Sequence, residues 1–359
     1  MTAARIRAFD WLRGIAVLVM IQTHSLVLLW PGLRQGRFFE WLQRIDGLVA
    51  PAFIFSAGFS LALVQVRGAA SGARAARVRK TLRRLGEVLA VATLVNWMWF
   101  PLLREPHYIL RFDILHCIGL GLLIALPIFA LLSPWPRVLR WVAFVLGAAV
   151  FGLAPLAEHV RGPLAALCND SSGTVFPLVP WAGYVYLGAS AGATAALGDA
   201  RELARWVAAL MLLGLLLWLQ TDALAHAYPP HEFWKTNPAN HAQRWTQVCG
   251  IVLLLLAAEQ LWPARNAVVK LVEVFGTSSL AAYFWHLNLL YFRYAGFSFE
   301  AAWGQRSSWA RYWLLLALLI AGTCALTWLT DLAYQLSPLG KARAAPLSPR
   351  PPPASARPA

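Results

Sequence analysis

The sequence predicts an all-α fold, a polytopic membrane helix bundle of about ten transmembrane helices. Three observations predict it. The chain of 359 residues is 59% hydrophobic and 13% charged, whereas soluble domains are nearer half apolar and a quarter charged. Apolar runs near 20 residues recur from end to end, and that is the helical length that crosses a bilayer. Basic residues are also distributed unevenly between successive loops. With the N-terminus in the cytoplasm, 20 of the 31 Lys and Arg fall in inner segments, as the positive-inside rule expects. A β-barrel would show shorter, alternating segments, and the runs here do not alternate.

The expected spans are 9–31, 47–66, 85–103, 112–132, 138–156, 177–195, 204–221, 247–262, 273–292 and 311–336. The first lacks a small-residue cleavage site, so it reads as a retained helix and not a signal peptide. The segment 67–84 after the second span, "RGAASGARAARVRKTLRR", holds seven basic residues and anchors the topology. Pro51 and Pro180 lie near span ends, and Trp11, Trp30, Trp135, Trp206 and Trp262 fit interfacial belts. Residues 1–336 form one membrane domain. The tail 337–359 is rich in Pro, Ala and Arg and cannot build a core, so it reads as disordered and cytoplasmic. Both termini are expected inside.

The net charge of +15 would point to nucleic acid in a soluble protein. Here topology and anionic lipid account for it, and no nucleic-acid partner is expected. The four cysteines, Cys117, Cys168, Cys249 and Cys324, have no metal-ligand spacing. Three fall in the outer half, so a disulfide is open, without a preferred pair. No metal is expected. The outer loop 222–246, with His226, His231 and His241, is placed to cover a substrate site.

All eight histidines map to the outer half of this topology. Two of them, His24 and His286, lie within spans. Arg13 and His24 are 11 residues apart, which returns them to one helix face about 16 Å apart along the axis. Ser279, Tyr283, His286 and Arg293, spaced 4, 3 and 7, form a second polar stripe. Ionisable groups inside spans are costly and usually face the bundle interior or a wet cavity. Two stripes therefore predict a polar pathway lined by the first and ninth helices. Asp113 and His116, at i, i+3, sit at the outer start of the fourth helix, either as site residues or as a helix cap.

The blocks "FDWLRGIAVLVMIQTH", "VAPAFIFSAGFSLAL", "FDILHCIGLGLLIAL", "FPLVPWAGYVYLGASAG" and "FGTSSLAAYFWHLNLLY" occur in this order. Together they resemble the transmembrane acyltransferase superfamily, and most nearly the bacterial relatives of heparan-alpha-glucosaminide N-acetyltransferase. The acyltransferase type 3 family is a more distant cousin. Arg13 and His24 match that family's Arg, ten residues, His pattern, and Arg79 and Arg83 match its Arg-x-x-x-Arg. The resemblance implies an enzyme of the bacterial inner membrane. It would use cytoplasmic acyl-CoA, commonly acetyl-CoA, as co-substrate and acylate a sugar or glycan acceptor at the outer face. The residue at the position of His24 is the expected catalytic centre.

The side-chain chemistry agrees with that implication. Acyl transfer from a thioester needs a base or an acyl carrier, and neutral imidazole can be either. His24 takes that part, Asp113 and His116 orient it or bind the acceptor, and His286, on the second polar stripe, is counted with the catalytic residues. Arg13, Arg79, Lys80, Arg83 and Arg84 are the cations available to CoA phosphates, which guanidinium groups fork well. An extended pantetheine arm of about 15–20 Å would join Arg13 to His24 on the helical spacing. The alternative is a proton-coupled transporter or lipid-glycan flippase. Its usual marks, internal repeats and spans broken near the midplane, are not visible in the sequence.

Overall fold

The computed structural model describes residues 6–99, 111–171, 173–261 and 266–337. His107, Trp262 and the tail from 338 onward lie outside the described residues. Among the described residues sixteen α-helices follow one another, with no β-strand and only the isolated bridges Leu29–Ser307 and Tyr294–Phe297. They are α1 (Arg7–Ser25), α2 (Arg37–Asp46), α3 (Val49–Ala70), α4 (Arg74–Trp99), α5 (Ile114–Leu132), α6 (Pro136–Ala157), α7 (Ala165–Cys168) and α8 (Leu178–Ala195). Then come α9 (Ala200–Leu219), α10 (Thr221–His226), α11 (Phe233–Thr236), α12 (Pro238–Leu261), α13 (Ala267–Thr277), α14 (Ser279–Tyr291), α15 (Phe299–Trp303) and α16 (Trp309–Leu336). The all-α polytopic architecture is as expected.

The span count differs from the expected ten. Six stretches of the described residues are long and apolar enough to cross a membrane, or seven if α13 and α14 are one bent span. Helices α4, α8 and α12 occupy expected spans but are less apolar, each for a local reason. The first turns of α4 carry the basic residues, and the first turns of α12 carry "PANHAQRWTQ". Helix α8 is rich in Gly and Ala and buried along nearly its whole length, so its surface meets helices instead of lipid.

That burial makes α8 the central strut, packed against both α3 and α6. Small residues let helix backbones touch where apolar drive between helices is weak. A Cβ at Gly58 would lie 1.9 Å from the Val185 carbonyl oxygen, and one at Gly188 would lie 1.9 Å from that of Phe55. The same device joins α1 to α13. A Cβ at Gly14 would meet the Val272 carbonyl oxygen at 2.0 Å, and one at Gly276 that of Asp10 at 2.0 Å. The N-terminus of α1 is closed from a distance. The Glu259 carboxylate accepts from the amides of Arg7 at 2.8 Å and Ala8 at 3.0 Å, satisfying donors that a helix start leaves unpaired.

The ninth span is not one helix. Helices α13 and α14 meet at Ser278 with a bend of 93°. The sequence there is "GTSS", and its hydroxyls compete with the helical ladder. Thr277 Oγ1 donates to the Glu273 carbonyl at 2.9 Å, and Ser278 Oγ donates to the Asp331 carboxylate on α16. Both hydroxyls at the break are thus hydrogen-bonded within the bundle.

Two apolar clusters flank the bundle. One is built mainly on α3, α5, α6, α8, α9 and α12. The other is built on α1, α14 and α16. Helices α1, α4 and α5 contribute to both. The candidate site lies along this seam.

Candidate active site

The far end of α1 is held rigidly. Tyr312 on α16 donates to the Gln22 carbonyl at 3.1 Å and accepts from Ser25 Oγ at 3.2 Å. The Tyr291 hydroxyl donates to the His24 carbonyl at 3.2 Å. In the last turn of this fixed helix, His24 Nδ1 lies 2.9 Å from His286 Nε2 on α14, with the rings stacked 5.1 Å apart. His286 is fully buried, and its Nδ1 lies 2.9 Å from the Ala282 carbonyl oxygen.

These contacts decide where the protons sit. A carbonyl oxygen only accepts, so His286 Nδ1 carries hydrogen. A neutral imidazole then has a lone pair on its other nitrogen. His286 Nε2 therefore accepts from His24 Nδ1–H, and His24 Nε2 is left with a basic lone pair. The backbone of α14 thus fixes the tautomer of His24 through one relay. His24 itself is partly exposed, on the walls of two adjoining cavities.

The first of these is a cavity of ≈ 710 Å³. His24, Asp46, Asn96, Arg111, Asp113, Arg293 and Glu300 line it. Beside it, a cavity of ≈ 730 Å³ under α2 is walled by Thr23, His24, Arg34, Gln43, Asp46 and Tyr291. Asp46, at the end of α2, borders both. Its Oδ1 is buried without a hydrogen-bond partner among the described residues, which is costly unless a ligand or water completes it.

A third cavity of ≈ 330 Å³ has a cationic rim and apolar walls. Arg13, Arg77, Lys80 and Arg84 supply the charge, and Phe53, Leu61, Leu85, Val88 and Leu122 supply much of the wall. Ser279 and Leu280, the first turn of α14, also face it, so the positive end of that helix dipole adds to the field. Arg13 is ion-paired with Asp10.

The structure places the residues singled out in the sequence as follows. Arg13 and His24 share one continuous helix, but where the spacing predicts one face lining one pathway, Arg13 opens onto the cationic cavity and His24 onto the polar ones. Within the expected α14 stripe, Ser279 and Tyr283 face the cationic cavity, while His286 meets His24. Arg293 lies past the end of α14 and still reaches the His24 cavity. Asp113 caps α5, accepting from the His116 amide at 3.0 Å and lying 2.8 Å from its Nδ1. Asp113 also lines the His24 cavity. His116 is a further departure. Its ring is held in that cap and against Phe112 instead of on the cavity wall.

The basic segment differs most. It is not a loop, because α4 begins at Arg74. Helical phase then carries Arg77, Lys80, Thr81, Arg84 and Val88 onto the cavity. Arg84 is therefore on the rim, but Arg79 and Arg83 are not among its lining residues. Arg83 pairs with Glu87 at 3.4 Å on an exposed face.

The histidine loop also differs. His226, His231 and His241 border none of the three cavities. His241 is buried against Tyr184 and the Lys235 carbonyl, and Lys235 pairs with Asp170 and Glu232. The ammonium donates hydrogen bonds to both carboxylates, which hold its pKa above the usual lysine range. Segments near Asp46, Val175 and Glu300 wall the site instead. All four cysteines are free thiols, and no cluster of metal-binding side chains occurs among the described residues.

The fold is thus a helical membrane bundle with a histidine pair at the wall of a polar cavity and a cationic cavity nearby. The chain matches the family model "Heparan-alpha-glucosaminide N-acetyltransferase, catalytic" over residues 5–232, and it belongs to that family of membrane acetyltransferases. No match was found among curated proteins. The matched segment holds Arg13, His24, Asp46, Arg84 and Asp113. His286 and Tyr283 lie beyond it, and only the fold brings them to His24.

Proposed function

We propose that this protein transfers an acetyl group from acyl-CoA, bound in the cationic cavity, to a sugar or glycan acceptor in the His24 cavity. The N-terminus and the cationic cavity face the cytoplasm, so the group crosses the membrane as it is transferred. The observation that carries this reading is the His24–His286 relay, which leaves a lone pair on His24 Nε2 at the wall of the polar cavity. Four cationic side chains at the other cavity's rim suit the phosphates of CoA, and the apolar walls beyond suit its pantetheine arm.

His24 Nε2 removes the proton from an acceptor hydroxyl or amine as that atom attacks the thioester carbonyl. The carbon–sulfur bond breaks, and the proton held on His24 passes to the departing CoA sulfur. The products are acylated acceptor and free CoA thiol. While His24 is cationic, its Nδ1–H still donates to His286, which keeps the ring in one orientation, the part a carboxylate plays in a serine hydrolase triad. Asp46 and Glu300 are the acceptors for donor groups on the sugar.

Kinetics with acetyl-CoA test the two cavities separately. Charge-assisted hydrogen bonds contribute about 1.5–3 kcal/mol, so Arg84→Gln should raise the KM for acetyl-CoA by roughly ten- to a hundredfold with kcat little changed. Arg83→Gln should leave it nearly unchanged, because exposed ion pairs contribute about 0–1 kcal/mol. Equal effects of the two would reject the cavity as donor site. Asp46→Asn should raise the KM for hexose or hexosamine acceptors about tenfold, with no change in the KM for acetyl-CoA. A change confined to the donor KM would remove Asp46 from the acceptor site.

One observation favours a second reading. A span broken by 93° at Ser278 is common in transporters. A transporter would move its solute without consuming a CoA thioester, so release of CoA thiol distinguishes the two.

A further inference from the structure

The cationic cavity and the His24 cavity have two residues in common, Ile114 and Tyr283. Every other lining residue belongs to one side or the other. His24 is on the far side only. Anything passing from the cationic rim to His24 therefore passes Tyr283.

Tyr283 is fixed on two sides. Its hydroxyl donates to Asp113 Oδ2 at 3.1 Å. The other oxygen of that carboxylate is already occupied by the His116 amide and ring in the cap of α5. Its ring meets that of His286 edge-on, with centroids 5.6 Å apart. The partition is thus tied at one edge to a helix cap and at the other to the relay that orients His24. Tyr283 stands on α14 little more than one turn beyond the break at Ser278.

We propose that Tyr283, with Ile114, is the partition between the two cavities, and that the width of its ring restricts the group that crosses to a small, unbranched acyl chain. The selectivity half of this proposal rests on the acyltransferase reading. The partition half does not. A closed partition also keeps the two cavities from forming a continuous wet path, so it holds protons apart whether or not any transfer occurs.

The test uses full-length protein in sealed proteoliposomes enclosing a pH-sensitive dye, with an imposed pH step and no substrate. Wild-type vesicles are expected to stay tight. Tyr283→Ala and Ile114→Ala, each checked for monodispersity before reconstitution, are expected to raise proton flux at least tenfold. Tyr283→Phe keeps the ring and loses the tie to Asp113, so its flux should fall between wild type and Tyr283→Ala. Two monodisperse alanine variants as tight as wild type overturn the partition.

The same preparations are then assayed with acetyl-CoA and isobutyryl-CoA. Tyr283→Ala should shift the ratio of kcat/KM values at least tenfold toward the branched donor, and Tyr283→Phe should stay close to wild type. A leaky Tyr283→Ala variant with an unchanged ratio overturns the selectivity. Leaky variants in a protein that consumes no CoA thioester would refute the acyltransferase reading while supporting the partition.

Discussion

His24→Ala should lower the rate of acyl transfer by roughly 10²- to 10⁴-fold, the range general acid–base catalysis contributes. The loss should appear in kcat, because the proposed donor site is the cationic cavity, whose lining does not include His24. The binding of acetyl-CoA to the purified variant should be unchanged, and that measurement separates lost chemistry from lost fold. His286→Ala should also slow transfer, by less. It removes the acceptor for His24 Nδ1–H and frees the ring to take the other tautomer, without removing the basic group itself. The two losses should not add, because both variants disable one hydrogen-bonded unit. A His24→Ala enzyme with wild-type kcat would reject the assignment of the base.

Gly188→Val should abolish the folded bundle. Its Cβ alone would sit 1.9 Å from the Phe55 carbonyl oxygen, and the obstacle is backbone that cannot swing aside. Helices α3 and α8 would have to separate, which opens the apolar cluster they share. Overpacking of ordinary core sites costs about 1–3 kcal/mol and occasionally more. A clash with main chain at the central strut belongs at the upper end, and Gly188→Ala is the milder probe. The expected result is loss of the monodisperse peak for valine and a clearly lowered melting temperature for alanine. Gly86 on α4 is the internal comparison, since a methyl group there would meet nothing within 4 Å. Alanine at that position should be neutral or slightly stabilising. Equal tolerance at both positions would contradict the close α3–α8 contact.

Much of the bundle was legible because apolar length and the helical repeat are properties of contiguous sequence. Arg13 and His24 were placed together by counting residues on one helix, and α1 proved continuous through both. The Ser279–Tyr283–His286 stripe was read the same way. Contacts between helices carry no such signature. Nothing in "VLVMIQTH" says that its histidine meets His286, 262 residues away. The basic segment shows how a small error in a helix start propagates. Taken as a loop, it offers seven equivalent cations. Once α4 starts at Arg74, phase selects Arg77, Lys80 and Arg84 and turns Arg79 and Arg83 aside.

Other features left a readable trace that span length obscured. The amphipathic α2, "RFFEWLQRID", ends on Asp46 and lines a cavity beside His24, yet it is too short to register as a span. The hydroxyl run "GTSS" marks the break between α13 and α14. The histidine-rich loop gave a misleading trace, because a buried histidine bonded to Tyr184 and a carbonyl has the same composition as a ligand-binding one.

The most direct test of the central claim is the sidedness of the reaction in sealed inverted vesicles. Acetyl-CoA labelled in the acetyl group is supplied outside, at the face carrying Arg77, Lys80 and Arg84, and glycan acceptor is enclosed within. The account predicts labelled acceptor inside the vesicles, CoA thiol released outside, and neither from His24→Ala vesicles. Label that stays outside, or transfer that persists without His24, would contradict it.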